Sequence, residues 1–502
     1  MSDPSPAKSR SAGLLLHPTS LPGPFGVGDL GPAAFAWIDL LAAAKQSWWQ
    51  ILPLGMTSYG DSPYQCYSAF AGNTLLVSPQ VLREQGLIDE NDWSGLHFPS
   101  DHVDYADVFP FKKHLLQRAW RNFQAGRGAG LKEVFDAFRH ESRSWLEDVV
   151  LFLAIKDENG GKGWLEWPLE IRRREPAAME SARKRLAGAT GQHAFAQFLF
   201  FAQWRRLREY AHERGIKIIG DIPIFVSGDS ADVWANPEFF QLDAERKPRA
   251  VAGVPPDYFN ADGQLWGNPL YDWTALEKTG FAWWKSRVRG MLGQVDLIRL
   301  DHFRGFESYW EVPSGSPTAR NGKWVPAPGD ALLSSLKAEF GALPFIAEDL
   351  GLITPQVEHL RDRHDLPGMK VLQFAFGDDF RNPYLPHNHK QSSVVYTGTH
   401  DNDTTRGWYR GAQEKEKDHV RRYLARDGSD VSWDMIRVAW MSVADLAIAP
   451  LQDVLDLGSE ARMNFPGRAS GNWTWRYEHH QINTWTFDRL AELTWLYGRA
   501  RR

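Results

Sequence analysis

Eight short apolar runs, spaced along the chain with helix-like stretches between them, constrain this sequence most. They are Leu14–His17, Gln50–Leu54, Lys217–Ile222, Asp296–Asp301, Phe345–Asp349, Val371–Phe376, Val394–Thr399 and Leu446–Pro450. Runs such as Ile-Lys-Ile-Ile-Gly-Asp (216–221) and Val-Asp-Leu-Ile-Arg-Leu-Asp (295–301) are nearly continuous in apolar residues. That composition suits a parallel strand covered on both faces, whereas an antiparallel strand with one wet face alternates. Amphipathic stretches lie between the runs, among them Ala194–Arg214 and Gly280–Leu292, the latter followed by a capping Gly293. Strand–helix alternation implies a parallel sheet, and eight repeats imply a closed (β/α)8 barrel of the TIM type.

The spacing of the runs is uneven. About 160 residues separate the second from the third, where one barrel unit needs roughly 30. A mainly helical insertion subdomain is therefore expected over 56–210, and Lys112–Arg121 and Leu131–Phe152 carry apolar residues at helical spacing within it. The span 229–273, dense in Pro, Gly, Asp and aromatics, reads as a loop-rich insertion covering a cleft. The chain continues only about 50 residues past the eighth run, so no separate C-terminal β domain is expected, and the 502 residues form one barrel domain.

Composition excludes several functions. With 57 basic and 62 acidic residues the net charge is −5, which disfavours an electrostatic hold on nucleic acid or membrane. No uninterrupted apolar run of membrane-spanning length occurs, and no signal-peptide core is present. A single cysteine, Cys66, forms no intrachain disulfide, and a reducing cytoplasm fits that usage. The 23 tryptophans serve either a large aromatic core or stacking platforms for sugars.

Four runs end in acids: Asp221, Asp301 (within Arg299-Leu300-Asp301-His302), Glu348-Asp349, and Asp401 (within Thr399-His400-Asp401-Asn402-Asp403). One such acid alone reads as a solvated carboxylate or helix cap. Four in order point into the face where barrels of this kind carry out chemistry. Converging carboxylates suit glycosidic bond cleavage, which needs one carboxylate and one carboxylic acid flanking the bond. Metal-assisted hydrolysis is the alternative, with His400-Asp401 and His387-Asn388-His389 as donors, but no metal-binding helix motif completes that set. Gly-rich phosphate loops and a G-x-S-x-G elbow are both absent.

The order Asp221, Arg299-x-Asp301, Glu348, His400-Asp401 resembles the four signature regions of the α-amylase clan. Longer stretches are similar to one member, glycoside hydrolase family 77, the 4-α-glucanotransferases. They are 14–23 (LLLHPTSLPG), 60–65 (GDSPYQ), 253–259 (GVPPDYF) with 263–269 (GQLWGNP), 461–467 (ARMNFPG) and 471–476 (GNWTWR), so the resemblance covers nearly the whole chain. It implies that Asp301 is the nucleophile, Glu348 the acid/base and Asp401 the transition-state stabiliser. It further implies that Arg299 orients Asp301 and that Asp221, His400, Tyr64, Ser62 and His302 surround the central sugar. Tyr258, Phe259, Gln264 and Trp266 would lie along the acceptor side, with Tyr59 in a second glucan-binding region. The implied substrates are α-1,4-glucans and maltooligosaccharides, with no cofactor, no metal and no obligate protein partner. Cys66 departs from the family, which carries a small polar residue or Ala there, and its place near Tyr64 leaves the site open to thiol modification. An α-amylase-type hydrolase and a non-catalytic glucan-binding scaffold are the other readings; the scaffold predicts loss of a catalytic acid, and all three are present. Nearby charge from Asp301 and Asp401 is expected to keep Glu348 protonated.

Overall fold

The structure, a computed structural model, describes residues 10–256, 261–468 and 470–501, and for Tyr59 the backbone only. Eight parallel strands close into a barrel in chain order: β1 (Ser11–Leu15), β2 (Trp48–Gln50), β3 (Lys217–Pro223), β4 (Leu297–Asp301), β5 (Phe345–Ala347), β6 (Gly368–Val371), β7 (Ser393–Tyr396) and β8 (Leu446–Pro450). The ring is completed by β1 against β8, Ser11 opposite Leu446 through Leu15 opposite Pro450. Each of the eight apolar runs overlaps one strand, those at 50–54 and 371–376 by a single residue, because side chains from both faces are buried, inward against the barrel interior and outward under the helices. Gly13 is required by this closure: a Cβ there would meet the Trp48 carbonyl oxygen of β2 at 2.4 Å.

Boundaries differ from the expectation where burial continues past the strand. The run 371–376 was expected as a strand, but β6 ends at Val371 and Leu372–Phe374 forms a 3-10 turn. Leu372 in that turn and Ala375 and Phe376 after it stay buried, so apolar character alone does not mark where the strand stops. Likewise β2 is Trp48–Gln50, and Ile51–Leu54 runs on as buried chain outside the sheet.

Between β2 and β3 the chain forms several helices, the longest Tyr105–Gln124, Arg143–Glu158 and Ala187–Glu213. An aromatic cluster joins the first and third of these, with the Phe123 and Phe195 rings stacked at 4.4 Å and Phe135, from Lys132–Glu141, edge-on to both. The expected helix over 131–152 is two helices, Lys132–Glu141 and Arg143–Glu158, parted at Ser142. The span 229–273 is not loop alone. Its segments Ala250–Val254 and Gln264–Pro269 pair antiparallel and join Ser308–Pro313 and Lys323–Pro326 in a four-stranded sheet beside the barrel. A register shift between Val251 and Gly253, together with the Gly and Pro content, breaks the alternation that marks a strand. Trp49, Trp204 and Trp284 are fully buried, which places many tryptophans in the core. No helix among the described residues is long and apolar enough to cross a membrane.

Candidate functional site

The carboxyl ends of β3, β4, β5 and β7 bring the acids together. On β4, Arg299 and Asp301 stand two residues apart and so share a face. Arg299 Nη1 donates to Asp301 Oδ1 at 2.8 Å and to Asp221 Oδ2, from β3, at 2.7 Å. Arg299 and Asp221 are buried and Asp301 is half-buried, so one guanidinium holds two carboxylates in a setting of low dielectric. Burial raises the Asp221 carboxyl above its ordinary range, and Arg299 is the largest influence pulling it back.

The Tyr64 hydroxyl extends this network. It donates to Asp221 Oδ2 at 3.0 Å and lies 2.8 Å from His400 Nε2. Burial holds the Tyr64 hydroxyl well above its usual range and lowers His400, so the phenol keeps its proton and the imidazole is neutral. One hydroxyl carries one proton, and with it committed to Asp221 the His400 Nε2–H must donate to the Tyr64 oxygen. The same nitrogen lies 3.3 Å from Asp401 Oδ2. Tyr64 is oriented from below by Ser62, whose hydroxyl accepts from the Tyr64 N–H at 3.2 Å.

Glu348 follows β5 directly, beside Asp301. In the register Leu300 pairs with Ala347, and the Glu348 N–H donates to the Leu300 carbonyl at 3.1 Å. Its Oε2 accepts from the His302 N–H at 2.7 Å, a contact made possible by the left-handed backbone of His302 (φ 52°). The Glu348 carboxyl is pushed well above the usual range, first by burial and then by Asp301, against the pull of Arg299. The expected influence of Asp301 is present, and burial, which the sequence reading did not include, is the larger cause. Neighbouring Asp349 points the opposite way, into a buried ion pair with Arg361 and a 2.7 Å bond from the Met369 N–H. It is a structural acid. His302 is held low, to about 4, by burial, and its ring meets Trp266 edge-on at 4.7 Å. Trp266 Nε1 donates to Gln264 Oε1 at 3.2 Å, so these two residues form one unit on the second sheet.

Two groups were missed as site residues in the sequence. Asn464 Nδ2 donates to Asp401 Oδ1 at 2.6 Å, and Arg462 Nη2 to the Asp401 carbonyl at 2.7 Å. Trp473 packs on Tyr64 and His400, with ring centroids at 5.8 and 6.0 Å. Both lie in stretches that carry the family resemblance, which is the one signal that pointed to them. Tyr258 and Phe259 lie outside the described residues, and Tyr59 begins the short turn Tyr59–Asp61. His387 and His389 are engaged elsewhere, with Tyr423 and the carbonyls of Phe380 and Tyr384. Among the described residues no group of three or more His, Cys, Asp or Glu side chains is placed to hold a metal ion. Cys66 donates to the Pro63 carbonyl at 3.0 Å, and burial pushes its thiol up to about 12, so it is not the reactive thiolate that modification requires.

Comparison with known proteins agrees with this geometry. The sequence model of the 4-alpha-glucanotransferase family, glycoside hydrolase family 77, matches residues 16–482. The chain is 53% identical over 475 residues to the 4-alpha-glucanotransferase of Thermus thermophilus, covering 93% of this chain and 94% of the relative. It is 51% identical to that of Synechocystis sp., covering 98% of each. Its fold matches the amylomaltase from Streptococcus agalactiae, solved in complex with acarbose, with a TM-score of 0.95 at 39% identity, over 98% of this chain and all of that one. The chain belongs to the 4-alpha-glucanotransferase family, glycoside hydrolase family 77.

Proposed function

We propose that this protein is a 4-α-glucanotransferase that moves segments of α-1,4-glucan onto the 4-hydroxyl of an acceptor glucan or glucose by a retaining double displacement. The observation that carries the mechanism is the placement of Asp301 and Glu348 at the ends of the adjacent strands β4 and β5, in register. Neighbouring strands lie about 4.8 Å apart, and a retaining pair needs its carboxyls only about 5–5.5 Å apart. The inverting arrangement, with room for a water between them, is disfavoured.

In the first step an Asp301 oxygen attacks the anomeric carbon and the glycosidic C–O bond breaks. Glu348 gives its proton to the departing oxygen, which leaves as the new chain end of the released glucan. Glu348 suits this because burial keeps it protonated, while the Arg299 guanidinium, 2.8 Å from Asp301 Oδ1, orients the nucleophile. Asp401, held by Asn464, faces the charge that develops on the sugar. In the second step the acceptor 4-hydroxyl attacks the same carbon, the bond to Asp301 breaks and Glu348 recovers its proton. The glycosidic bond is conserved, so no nucleotide is consumed. Asp221, Tyr64, His400, His302 and Ser62 surround the central sugar. Gln264 and Trp266 line the acceptor side, where stacking favours a sugar over water; the family resemblance assigns Tyr258 and Phe259, outside the described residues, to the same side.

The helices of 56–210 form an insertion subdomain on the barrel, and 229–273 covers the cleft; the Trp266–His302 contact supports the second assignment. A reducing cytoplasm is the compartment, in keeping with one free cysteine. The test is incubation with maltotriose and separation of products by chain length. Glucose together with chains longer than three units is expected, since hydrolysis cannot lengthen a chain; glucose and maltose alone would overturn transfer.

A further inference from the structure

We propose that Trp473 is a positioning residue for glucan transfer: its ring holds the Tyr64–His400 pair, and Tyr105, from the helical insertion, holds its backbone. The inference rests on the reading of the Asp301–Glu348 site given above.

The Tyr64 and His400 rings stack at 5.2 Å with 15° between their planes, and Trp473 closes the third side of the box at 5.8 and 6.0 Å. The Tyr64 hydroxyl meets Asp221 and His400, and His400 Nε2 meets Tyr64 and Asp401, so a small rotation of either ring would break its contact to one carboxylate and the link between the two rings. Trp473 itself is 5% exposed and does not reach the cleft as a free surface. Its effect on substrate therefore runs through its neighbours.

A core tryptophan needs no special backbone, yet Trp473 sits in the left-handed region at φ 64°. For a bulky residue that conformation is an outlier, held only where the surroundings over-determine it, and such strain gathers at functional sites. The surroundings do so here. The Trp473 N–H donates to the Met463 carbonyl at 2.8 Å, and its own carbonyl accepts from the Tyr105 hydroxyl at 3.0 Å. The next residue is bonded too, since the Val103 N–H donates to the Thr474 carbonyl at 2.7 Å. One segment thus grips both partners of the central sugar. Met463 and Phe465 are tied to Trp473 and Asn472, and Asn464 between them holds Asp401. Tyr105 opens the helix Tyr105–Gln124, so the insertion reaches the Trp473–Thr474 segment through this hydroxyl and the Val103 N–H.

The test compares Trp473→Ala, Trp473→Phe, Tyr105→Phe and, as a control, Glu348→Gln, with kcat and KM for maltotriose and the thermal unfolding midpoint read for each. Misplacement of this kind costs about 100-fold in rate, so Trp473→Ala lowers kcat by that order while KM stays within about threefold. Trp473→Phe keeps an aromatic wall and recovers most of the loss. Tyr105→Phe lowers kcat with KM unchanged, by less than Trp473→Ala. A folded Trp473→Ala variant with wild-type kcat, or one whose loss lies in KM alone, overturns the proposal. Should Trp473→Ala fail to fold, Tyr105→Phe decides, and wild-type kcat in that variant overturns it. Activity in Glu348→Gln would sink the site reading itself, whereas an inactive Glu348→Gln beside a normal Trp473→Ala sinks only this inference.

Discussion

Arg299 and Asp301 lie two residues apart on one strand, and their side chains meet at 2.8 Å on the barrel's carboxyl-end face. The same Nη1 also serves Asp221 at 2.7 Å, so a single guanidinium nitrogen fixes the spacing of two acids from different strands. A lysine carries the charge on a different stem, as a freely rotating ammonium that does not fix a donor at the Nη1 position between the two acids. Arg299→Lys is therefore expected to lower kcat/KM by about 100-fold. Arg299→Ala leaves the fully buried Asp221 without its cation and should cost about 3–5 kcal/mol of stability. Steady-state kinetics on maltotriose and urea unfolding check the two, and a Lys variant with wild-type kcat/KM would contradict the positioning role.

Glu348 yields a prediction of opposite sign for activity and stability. Its folded-state pKa lies well above the ordinary 4.5, with burial the first cause. Below pH 4.5 folded and unfolded chains both hold the proton, and the stability associated with this group is fully present. As pH rises from there toward the raised folded value, the unfolded chain releases its proton first and stability falls. Glu348→Gln has no such proton. The variant should be inactive, equal to wild type in unfolding midpoint at low pH, and more stable than wild type near neutrality. Wild-type kcat/KM should fall on the alkaline side as Glu348 loses the proton it donates. Identical pH dependence of unfolding in the two proteins would refute the burial argument.

Much of this architecture is legible in the order of residues, for a physical reason. Strands such as Lys217–Pro223 and Leu297–Asp301 are covered on both faces, so they write themselves as unbroken apolar runs, and Asp221, Asp301, Glu348 and Asp401 appear where those runs stop. Direction is less legible. Glu348 and Asp349 are adjacent acids, and only the pleat decides that one faces the cleft while the other pairs with Arg361. Long-range partners are not legible at all: nothing local to Asn464 announces that it reaches Asp401, 63 residues away. The sheet containing Ala250–Val254 and Gln264–Pro269 was hidden because a bulge and turn residues interrupt its alternation.

The Asn464–Asp401 contact predicts graded damage. Asn464→Ala removes a 2.6 Å donor from Asp401, the proposed transition-state stabiliser, and leaves it to reorient. Loss of one such positioning bond is expected to cost about tenfold in kcat, at 1.36 kcal/mol per factor of ten. Asn464→Asp sets a second carboxylate against the first, raises the pKa of the pair and should cost more, with partial recovery below its new titration. Kinetics across pH would reveal this, and equal losses in the two variants at every pH would argue against the contact's role.

Trp266 is expected to bias the choice between acceptor and water. Its indole meets the His302 ring edge-on at 4.7 Å and is tied to Gln264 at 3.2 Å, beside the residue whose N–H bonds Glu348. A rigid aromatic here offers a sugar a stacking surface and offers water nothing. Trp266→Ser should lower the ratio of transfer to hydrolysis, with hydrolysis alone unchanged or raised, because water still reaches Asp301's glycosyl bond. Tyr258→Ser and Phe259→Ser are expected to shift the ratio the same way. Product chain lengths from maltotriose, scored as lengthened chains against total bonds cleaved, measure it directly. An unchanged ratio in all three variants would mean that water is excluded by the closure of the cleft and not by its aromatic surface.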